Sequence, residues 1–353
     1  MIRVNLEPEL PIEYFPERFK DPEKVLFFDI ETTGLSASDS AVYLIGCLYY
    51  REGCWHFSQF LTESLSDELP VLKAFFQLAE AFDTLVHFNG DAFDIRFLNT
   101  AAAQYHLPSP LSDMQSIDLL KKVRKHRKLL GLENCRLKTV EQFLGIYRED
   151  IYSGKDLIEI YQTFSRTRSE RLKELLLLHN REDILNMIGL LPVLRYADVT
   201  EAPRELLSPS EIYLNRSGTA LNIRLSSKEV FPVPVSAVCG NNVRIDFDEN
   251  EVLFKIPVMI GTLKYFYPDY KNYWYLPGED YAIHKKLARY VDKDHRLPAT
   301  RETCYTRVES LFALKPDAFE APVFKTAWNA RENYVELTED SAFVYACKIL
   351  ESL

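Results

Sequence analysis

Four carboxylates in three separate segments of the chain have the types and spacing that a pair of divalent cations requires. The segments are F-D-I-E-T-T-G-L at 28–35 with Asp29 and Glu31, F-N-G-D-A-F-D at 88–94 with Asp94, and H-N-R-E-D at 179–183 with Asp183. Asp29 and Glu31 interrupt an apolar run that is typical of a buried strand, in which residues two apart share a face. Two buried like charges repel and lose hydration, and bound cations offset both costs. The pattern therefore indicates metal-dependent phosphodiester cleavage.

The neighbours of these carboxylates suggest how such a site would work. His179 and Asp183 are four residues apart in an apolar, helical segment, so that they share one face. The four carboxylates could hold two Mg²⁺ or Mn²⁺ ions about 4 Å apart, which activate water and stabilise the leaving oxygen. We expect His179 to be the general base, since an imidazole titrates near neutral pH. Asn89 and Gly90 are predicted to form a turn beside the site and are candidates for substrate contacts.

The elements that must position these residues form a mixed α/β pattern. Strands are predicted near 24–31, 41–50, 54–61 and 84–88, with a helical period at 69–79, a helix from about Asp91 and mainly helices after Asp118. The first three strands are expected to form an antiparallel meander, with the strand at 24–31 central in the sheet. The site would then lie at the carboxyl end of that strand.

A second region follows, in which the sequence pattern is mainly strand-like. Residues 1–200 are predicted to be one domain, and Pro203, Ser208 and Pro209 indicate a linker near 200–210. Residues 210–353 are predicted to be a smaller, β-rich α+β domain of unknown function, with strands at 251–260 and 333–338 and helices near 281–291 and 341–351. Its many tyrosines, interleaved with cations, suit either a tyrosine-rich β-core or a surface on which unpaired bases stack.

Composition limits the classes of partner and compartment. The six cysteines are scattered without metal-site spacing, and the N-terminal residues lack the pattern of a signal peptide, so we expect a cytoplasmic protein with no membrane partner. The net charge of −10 means that any contact with nucleic acid must be local. The strongest basic run lies at 121–128, where a solvated helix face and a phosphate-binding patch are both possible.

The three carboxylate segments, in this order and over roughly residues 20–195, resemble the exonuclease motifs of the DEDD superfamily of ribonuclease-H-like 3′–5′ exonucleases. The stretch R-L-K-T-V-E-Q-F-L-G-I-Y-R-E-D-I-Y-S-G at 136–154 is similar to the YprB-like family in particular. The resemblance implies a ribonuclease-H-like mixed sheet flanked by helices. It also implies that Asp29 bridges both metals, that Glu31 and Asp183 complete the shell of one ion, and that Asp94 serves the other.

The same resemblance implies a substrate site for single-stranded DNA or RNA ends. Thr32, Thr33, Gly34 and Leu35 would line the terminal nucleotide, and Phe93 would support the strand. This chain departs from the superfamily in one respect, because His179 lies four residues before Asp183, where other members carry a Tyr at that spacing or a His five residues before. Two alternatives remain open: an endonuclease on the same fold, and a nucleic-acid-binding module without turnover.

Overall fold

A computed structural model of the protein describes residues 1–10, 19–317 and 319–353. The described chain divides into two compact units. The first comprises residues 1–128 and 132–197, and the second comprises residues 129–131 and 198–353. The described helices include none that combines the length and the apolar character needed to cross a bilayer.

The first unit is built on a six-stranded mixed sheet with the order β1-β4-β3-β2-β5-β6. Its strands are β1 (Ile2–Leu6), β2 (Val25–Thr32), β3 (Val42–Arg51), β4 (Cys54–Leu61), β5 (Thr84–His87) and β6 (Gln115–Asp118). The strands β1, β4, β3 and β2 pair antiparallel, whereas β2, β5 and β6 pair parallel. The predicted meander and the interior position of β2 are therefore confirmed, but β1 was not predicted.

Helices surround this sheet. They are α1 (Glu68–Ala79), α2 (Asp94–Gln104), α3 (Leu119–Lys125), α4 (Leu137–Phe143), α5 (Gly154–Thr167) and α6 (Glu170–Leu190). The next helix, α7 (Leu194–Glu201), begins in the first unit and ends in the second. Leu26, Phe28 and Ile30 of β2 belong to an apolar cluster with residues of α1 and α2. Because side chains alternate along a strand, the face opposite these three carries Asp29 and Glu31. The period of two in β2 thus directs both carboxylates away from that cluster.

The second unit is β-rich, as predicted. Its strands are β7 (Leu207–Leu214), β8 (Ala220–Ser227), β9 (Val235–Cys239), β10 (Val243–Asp248), β11 (Glu251–Phe266), β12 (Tyr273–Leu276), β13 (Tyr281–His284), β14 (Leu297–Pro298), β15 (Tyr305–Leu314), β16 (Phe324–Lys325) and β17 (Tyr334–Glu336), and its helices are α8 (Pro203–Leu206) and α9 (Glu339–Glu351). The long strand β11 pairs with β8, β10, β15 and β16. A separate small sheet has the order β13-β12-β14.

One expectation for this region was wrong. The stretch 200–210, where a linker was expected, contains α8 and the start of β7, and Pro209 sits next to a register shift in β7, where a missing N–H is tolerated. The segment 281–291 forms β13 and a short 3₁₀ turn instead of a helix, since Tyr281 to His284 pair with β12. The helix predicted at 341–351 is present as α9.

The tyrosines of the second unit differ in their surroundings: several pack against buried residues, whereas Tyr213, Tyr281 and Tyr290 are exposed. Four of them, Tyr267, Tyr270, Tyr273 and Tyr275, pack against the buried residues Ala282, Ala299 and Cys304. The ring of Trp274 is covered by Arg296, whose guanidinium carbon lies 5.2 Å from the ring centre. Rings engaged in this way are not free platforms for bases, so the packing favours the β-core interpretation for these five residues.

Candidate metal centre

The strand β2 supplies the first two carboxylates of the site. Asp29 and Glu31 stand on the same face near its carboxyl end, and Asp29 lies opposite Gly46 of the antiparallel neighbour β3. The hydroxyl of Tyr43 lies 3.5 Å from Oε2 of Glu31. The side chain of Glu31 is only 12 % exposed, so its charge is poorly hydrated.

Asp94 reaches the same region from the turn that follows β5. The helix α2 begins at Asp94 and not near Asp91 as expected, because residues 90–93 form a turn in which the N–H of Ile95 donates to the carbonyl oxygen of Gly90. Oδ1 of Asp94 accepts a hydrogen bond of 3.3 Å from the backbone N–H of Ile30, the residue between Asp29 and Glu31. The second segment is thereby brought to β2.

The helix α6 supplies the remaining two residues. Nε2 of His179 lies 3.4 Å from Oε1 of Glu31 and 3.4 Å from Oδ2 of Asp183. Glu31, His179 and Asp183 each present one ligand atom, and these atoms lie within 4.8 Å of one another. The structure thus brings the predicted His179 and Asp183 to the carboxylates of β2, and the geometry suits Nε2 of His179 either as a metal ligand or as a base.

Crowded negative charge raises the pKa of the buried carboxyls. Burial and then the charges of Asp183 and Asp94 hold the pKa of Asp29 and of Glu31 well above their usual range. Burial raises the pKa of Asp94 to about 7, although the backbone N–H groups of Asp94 and Ile30 lower it and nearby carboxylates add to the rise. A divalent cation would offset this repulsion, and an oxygen-rich donor set suits Mg²⁺ or Mn²⁺. The residues present therefore fit the predicted ions.

Sequence reasoning missed Asp150, which binds Nδ1 of His179, the ring nitrogen that is turned away from the site. Oδ2 of Asp150 lies 2.7 Å from Nδ1 of His179, and the Asp150 side chain is 1 % exposed. Burial raises the pKa of Asp150, but the Tyr152 N–H, His179 and Lys138 outweigh burial and lower it below its usual range. An ionised Asp150 keeps the proton on Nδ1, so we assign Nε2 as the nitrogen that faces the site with its lone pair.

Arg148 is a second residue that was not predicted. Its guanidinium forms two hydrogen bonds with Glu141, at 2.5 and 2.6 Å, and a third with Oδ1 of Asp183. Burial disfavours the charged guanidinium, but Glu141 and Asp183 outweigh it and raise the pKa of Arg148. Because Arg148 binds one oxygen of Asp183, the other oxygen is directed toward His179. Both Arg148 and Asp150 lie in the 136–154 stretch that carried the family resemblance.

Asn180 completes the support of the site. Its amide nitrogen donates to Oδ2 of Asp29 at 3.0 Å, while its amide oxygen accepts from Nε2 of Gln59 at 2.9 Å. Gly46 allows this approach, since a Cβ at that position would overlap with the amide oxygen of Asn180. A helix residue adjacent to His179 thus fixes the orientation of the central carboxylate.

Asp29 and Asp183 also line a cleft of about 790 Å³. Its other lining residues are Phe88, Asn89, Leu120, Arg124, Arg127, Glu133, Asn134, Cys135, Arg136 and Leu137. Asn89 has a φ of +72°, a conformation that Asn adopts more readily than most residues, and its N–H donates to Asp118 at 2.9 Å. Asn89, one of the predicted substrate contacts, therefore lines the same cleft as two of the carboxylates.

The other predicted substrate contacts do not belong to the described lining of this cleft. Thr32 and Thr33 hold the turn after β2, because the Thr32 hydroxyl donates to the Gly34 carbonyl oxygen and the Thr33 hydroxyl accepts from the Ala41 N–H. Leu35 is 88 % exposed. Gly90 packs closely on the ring of His87, and Phe93 packs on the cluster shared with α2. Their contact with a nucleotide stays a prediction.

Comparisons with known proteins agree with the fold of the first unit. A family model described as RNase_H superfamily matches residues 26–195, so these residues form a ribonuclease-H-like domain. The match does not single out the YprB-like family, which stays a prediction. A search among curated proteins found no match.

Two solved structures are similar to parts of the chain. The family B DNA polymerase of the hyperthermophilic archaeon Pyrobaculum calidifontis is 16 % identical, with a TM-score of 0.42, over 71 % of this chain and 35 % of the polymerase chain. NrnC of Brucella melitensis, bound to pGG, is 15 % identical, with a TM-score of 0.27, over 50 % of this chain and 76 % of its own. This chain thus spans about a third of the length of the polymerase that it matches.

Proposed function

We propose that this protein is a metal-dependent nuclease that hydrolyses phosphodiester bonds at single-stranded DNA or RNA ends in the 3′–5′ direction. One observation carries the proposal: carboxylates from three distant segments meet at the carboxyl end of β2, where Asp94 accepts the N–H of Ile30 and where Glu31 and Asp183 present oxygens within 4.8 Å of each other, within a ribonuclease-H-like domain. The direction of digestion and the preference for ends rest on the family resemblance of the three motifs.

Asp29, Glu31, Asp94 and Asp183 would hold the two cations, with Mg²⁺ or Mn²⁺ as the candidates. When bound, the ions supply positive charge that lowers the pKa of water and stabilises the leaving oxygen. Asn180 and Arg148 orient two of these carboxylates, since each occupies one oxygen of Asp29 or of Asp183. The remaining oxygens are left to face the site. Such preorganisation reduces the rearrangement that the reaction requires.

His179 would move the proton. Nδ1 donates to the ionised Asp150, so Nε2 can accept a proton from the water that attacks phosphorus. The carboxylates of Glu31 and Asp183, each 3.4 Å from Nε2, stabilise the imidazolium that results. These contacts support the proposed role of His179 as the general base, although it lies four residues before Asp183.

Digestion of end-labelled oligonucleotides tests this function. DNA and RNA oligomers labelled at the 5′ or the 3′ end are incubated with the protein in Mg²⁺ and in Mn²⁺, and Asp29→Ala serves as the inactive control. An exonuclease of the proposed direction releases the 3′ label as a mononucleotide and stalls on a blocked 3′ end. Cleavage that continues past the block would instead identify an endonuclease. Unchanged activity of Asp29→Ala would rule out the proposed centre.

A further inference from the structure

Two arginines of the cleft differ from the other cations of the basic run and its surroundings. Arg124, at the end of α3, and Arg136, directly before α4, both line the cleft that contains Asp29 and Asp183. Both are exposed. Within the described part of the chain, neither guanidinium has a hydrogen bond or an ion pair. Two unpaired guanidinium groups therefore share one cleft with carboxylates of the candidate metal centre.

The neighbouring cations Lys121 and Arg127 form contacts within the protein itself. Lys121 forms an ion pair with Asp91. Arg127 also lines the cleft, but its Nε donates to the carbonyl oxygen of Leu132 at 3.1 Å and its Nη2 donates to that of Glu133. Arg127 thereby closes the loop between α3 and α4. The basic run at 121–128 is thus not a uniform solvated face, since its members serve different functions.

The loop that carries Arg136 is held in place. Oδ1 of Asn134 accepts hydrogen bonds from the N–H of Arg136 at 2.9 Å and from the hydroxyl of Thr139 at 2.7 Å. Arg124 lies within α3 and the N–H of Arg136 is bound by Asn134, so the backbone positions of both arginines are set before any ligand binds. Preorganised cations bind an anion with a smaller entropic cost than mobile ones.

We infer that Arg124 and Arg136 bind successive phosphates of a single nucleic-acid strand and guide it to the metal centre. The guanidinium group pairs with phosphate in a bidentate manner, and a chain with a net charge of −10 needs such local cations to hold a polyanion. A cleft of about 790 Å³ has the size of a small-ligand pocket, which suits a few nucleotides of one strand better than a duplex. This inference rests on the proposed function and adds the residues that select the substrate.

Salt dependence of binding tests the inference separately from catalysis. A 5′-fluorescein-labelled oligothymidylate of about 12 nucleotides, a length within the usual site sizes, is titrated with full-length protein in Mg²⁺ while anisotropy is recorded. All proteins carry Asp94→Asn so that the strand stays intact. For single strands each phosphate contact contributes about 0.7 to the slope of log Kd against log salt. Arg124→Ala and Arg136→Ala should each lower that slope by about 0.7, and the double variant by about 1.4.

Matched variants separate the effect from general loss of charge. Lys128→Ala removes an exposed cation of the same segment that does not line the cleft, and it should leave the slope unchanged. Arg124→Lys and Arg136→Lys should retain the slope while weakening affinity. If the alanine variants bind with the same slope as the parent, the inference is wrong, although the proposed nuclease can still stand on the digestion assay. Tighter binding of a duplex of equal length would overturn the single-strand assignment.

Discussion

Nδ1 of His179 on α6 lies 2.7 Å from Oδ2 of Asp150, a residue of the loop that precedes α5. The same loop is attached to α6 a second time, because the carboxylate of Glu182 accepts the backbone N–H groups of Glu149 and Asp150, each at 2.9 Å. The position of Asp150 is therefore fixed by the helix whose histidine it orients. A carboxylate held in this way determines which imidazole nitrogen faces the site.

Asp150→Asn should lower turnover about 10- to 100-fold, the usual cost of removing a residue that orients a functional histidine. An amide is uncharged and can donate a hydrogen bond to Nδ1. The tautomer with the proton on Nδ1 and the free lone pair on Nε2 would then no longer be favoured. Steady-state kinetics on a labelled oligonucleotide should show the loss in kcat with little change in KM. Glu149→Gln, at an exposed neighbouring position, is the matched control. Equal kcat for Asp150→Asn and the parent protein would remove Asp150 from the mechanism.

His179→Ala should reduce turnover by about 100-fold or more, as expected for loss of a general base, while binding of metal is retained. Metal binding is measured as the rise in Tm on adding Mn²⁺, which mass action links to affinity for the folded state. Asp29→Asn should abolish most of that rise. His295→Ala, at an exposed position in the second unit, should change neither quantity.

A different result would reassign His179. Because Glu31, His179 and Asp183 present atoms within 4.8 Å of one another, the imidazole is also placed to bind a cation. If His179→Ala loses the Mn²⁺-dependent rise in Tm to the same extent as Asp29→Asn, then His179 is a metal ligand and the proton acceptor must be sought elsewhere. The two measurements together therefore distinguish the roles.

Gly46→Ala tests the contact between β3 and α6. The new Cβ would overlap with Oδ1 of Asn180 and press on Ile184, so we expect a loss of about 1–3 kcal/mol in the free energy of unfolding, as for other overpacked sites. Displacement of Asn180 also removes its hydrogen bond to Asp29. The fall in kcat should therefore be larger than the loss of folded protein alone would cause. Unfolding in denaturant and kcat are both measured.

The control for this substitution is Gly261→Ala. Gly261 is also a strand glycine, in β11, but a Cβ there would meet no atom of the described residues within 4 Å. Gly261→Ala should lower the free energy of unfolding far less than Gly46→Ala does. In addition, the cost of Gly46→Ala should shrink in an Asn180→Ala background, since neighbouring residues that clash are coupled. Additive effects of the two substitutions would show that the clash is relieved in another way.

The sequence predicted those parts of the site that depend on local patterns. Asp29 and Glu31 share a face because β2 has a period of two, and His179 and Asp183 share a face because α6 has a period of 3.6. These relationships need no knowledge of the tertiary structure. The order of the three motifs then supplied the expectation that they converge. The contact of Glu31 with His179 and the hydrogen bond from Ile30 to Asp94 show this convergence.

The parts that could not be predicted depend on contacts between distant segments. Arg148 and Asp150 lie in a loop without a periodic signal, and their partners, Asp183 and His179, follow 35 and 29 residues later. Strand β1 is short and, among the described strands, pairs only with β4, whose Leu61 lies opposite Ile2. The segment after Tyr281 has helical periodicity, but pairing with β12 overrides it. In each case tertiary contacts decide what local propensity leaves open.

The stability of the metal-free protein should fall as the pH rises, because of Asp94. Its carboxyl has a pKa of about 7 in the folded protein and near 3.8 when unfolded, so the folded state holds the extra proton between these values. The stabilisation from this group is complete below about pH 4 and is lost as the pH rises through 7. The raised pKa values of Asp29 and Glu31 act in the same direction.

Thermal unfolding in EDTA of the parent protein and of Asp94→Asn isolates this contribution. Asparagine keeps the oxygen that accepts the Ile30 N–H but does not titrate. Relative to the variant, the parent protein should lose Tm between about pH 4 and pH 7, and excess Mg²⁺ should restore it by binding the ionised carboxylates. Asp113→Asn, at an exposed position, should follow the parent at every pH. Parallel curves for the parent and Asp94→Asn would show that Asp94 is not held protonated by its neighbours, and the case for a strained carboxylate cluster would lose its main support.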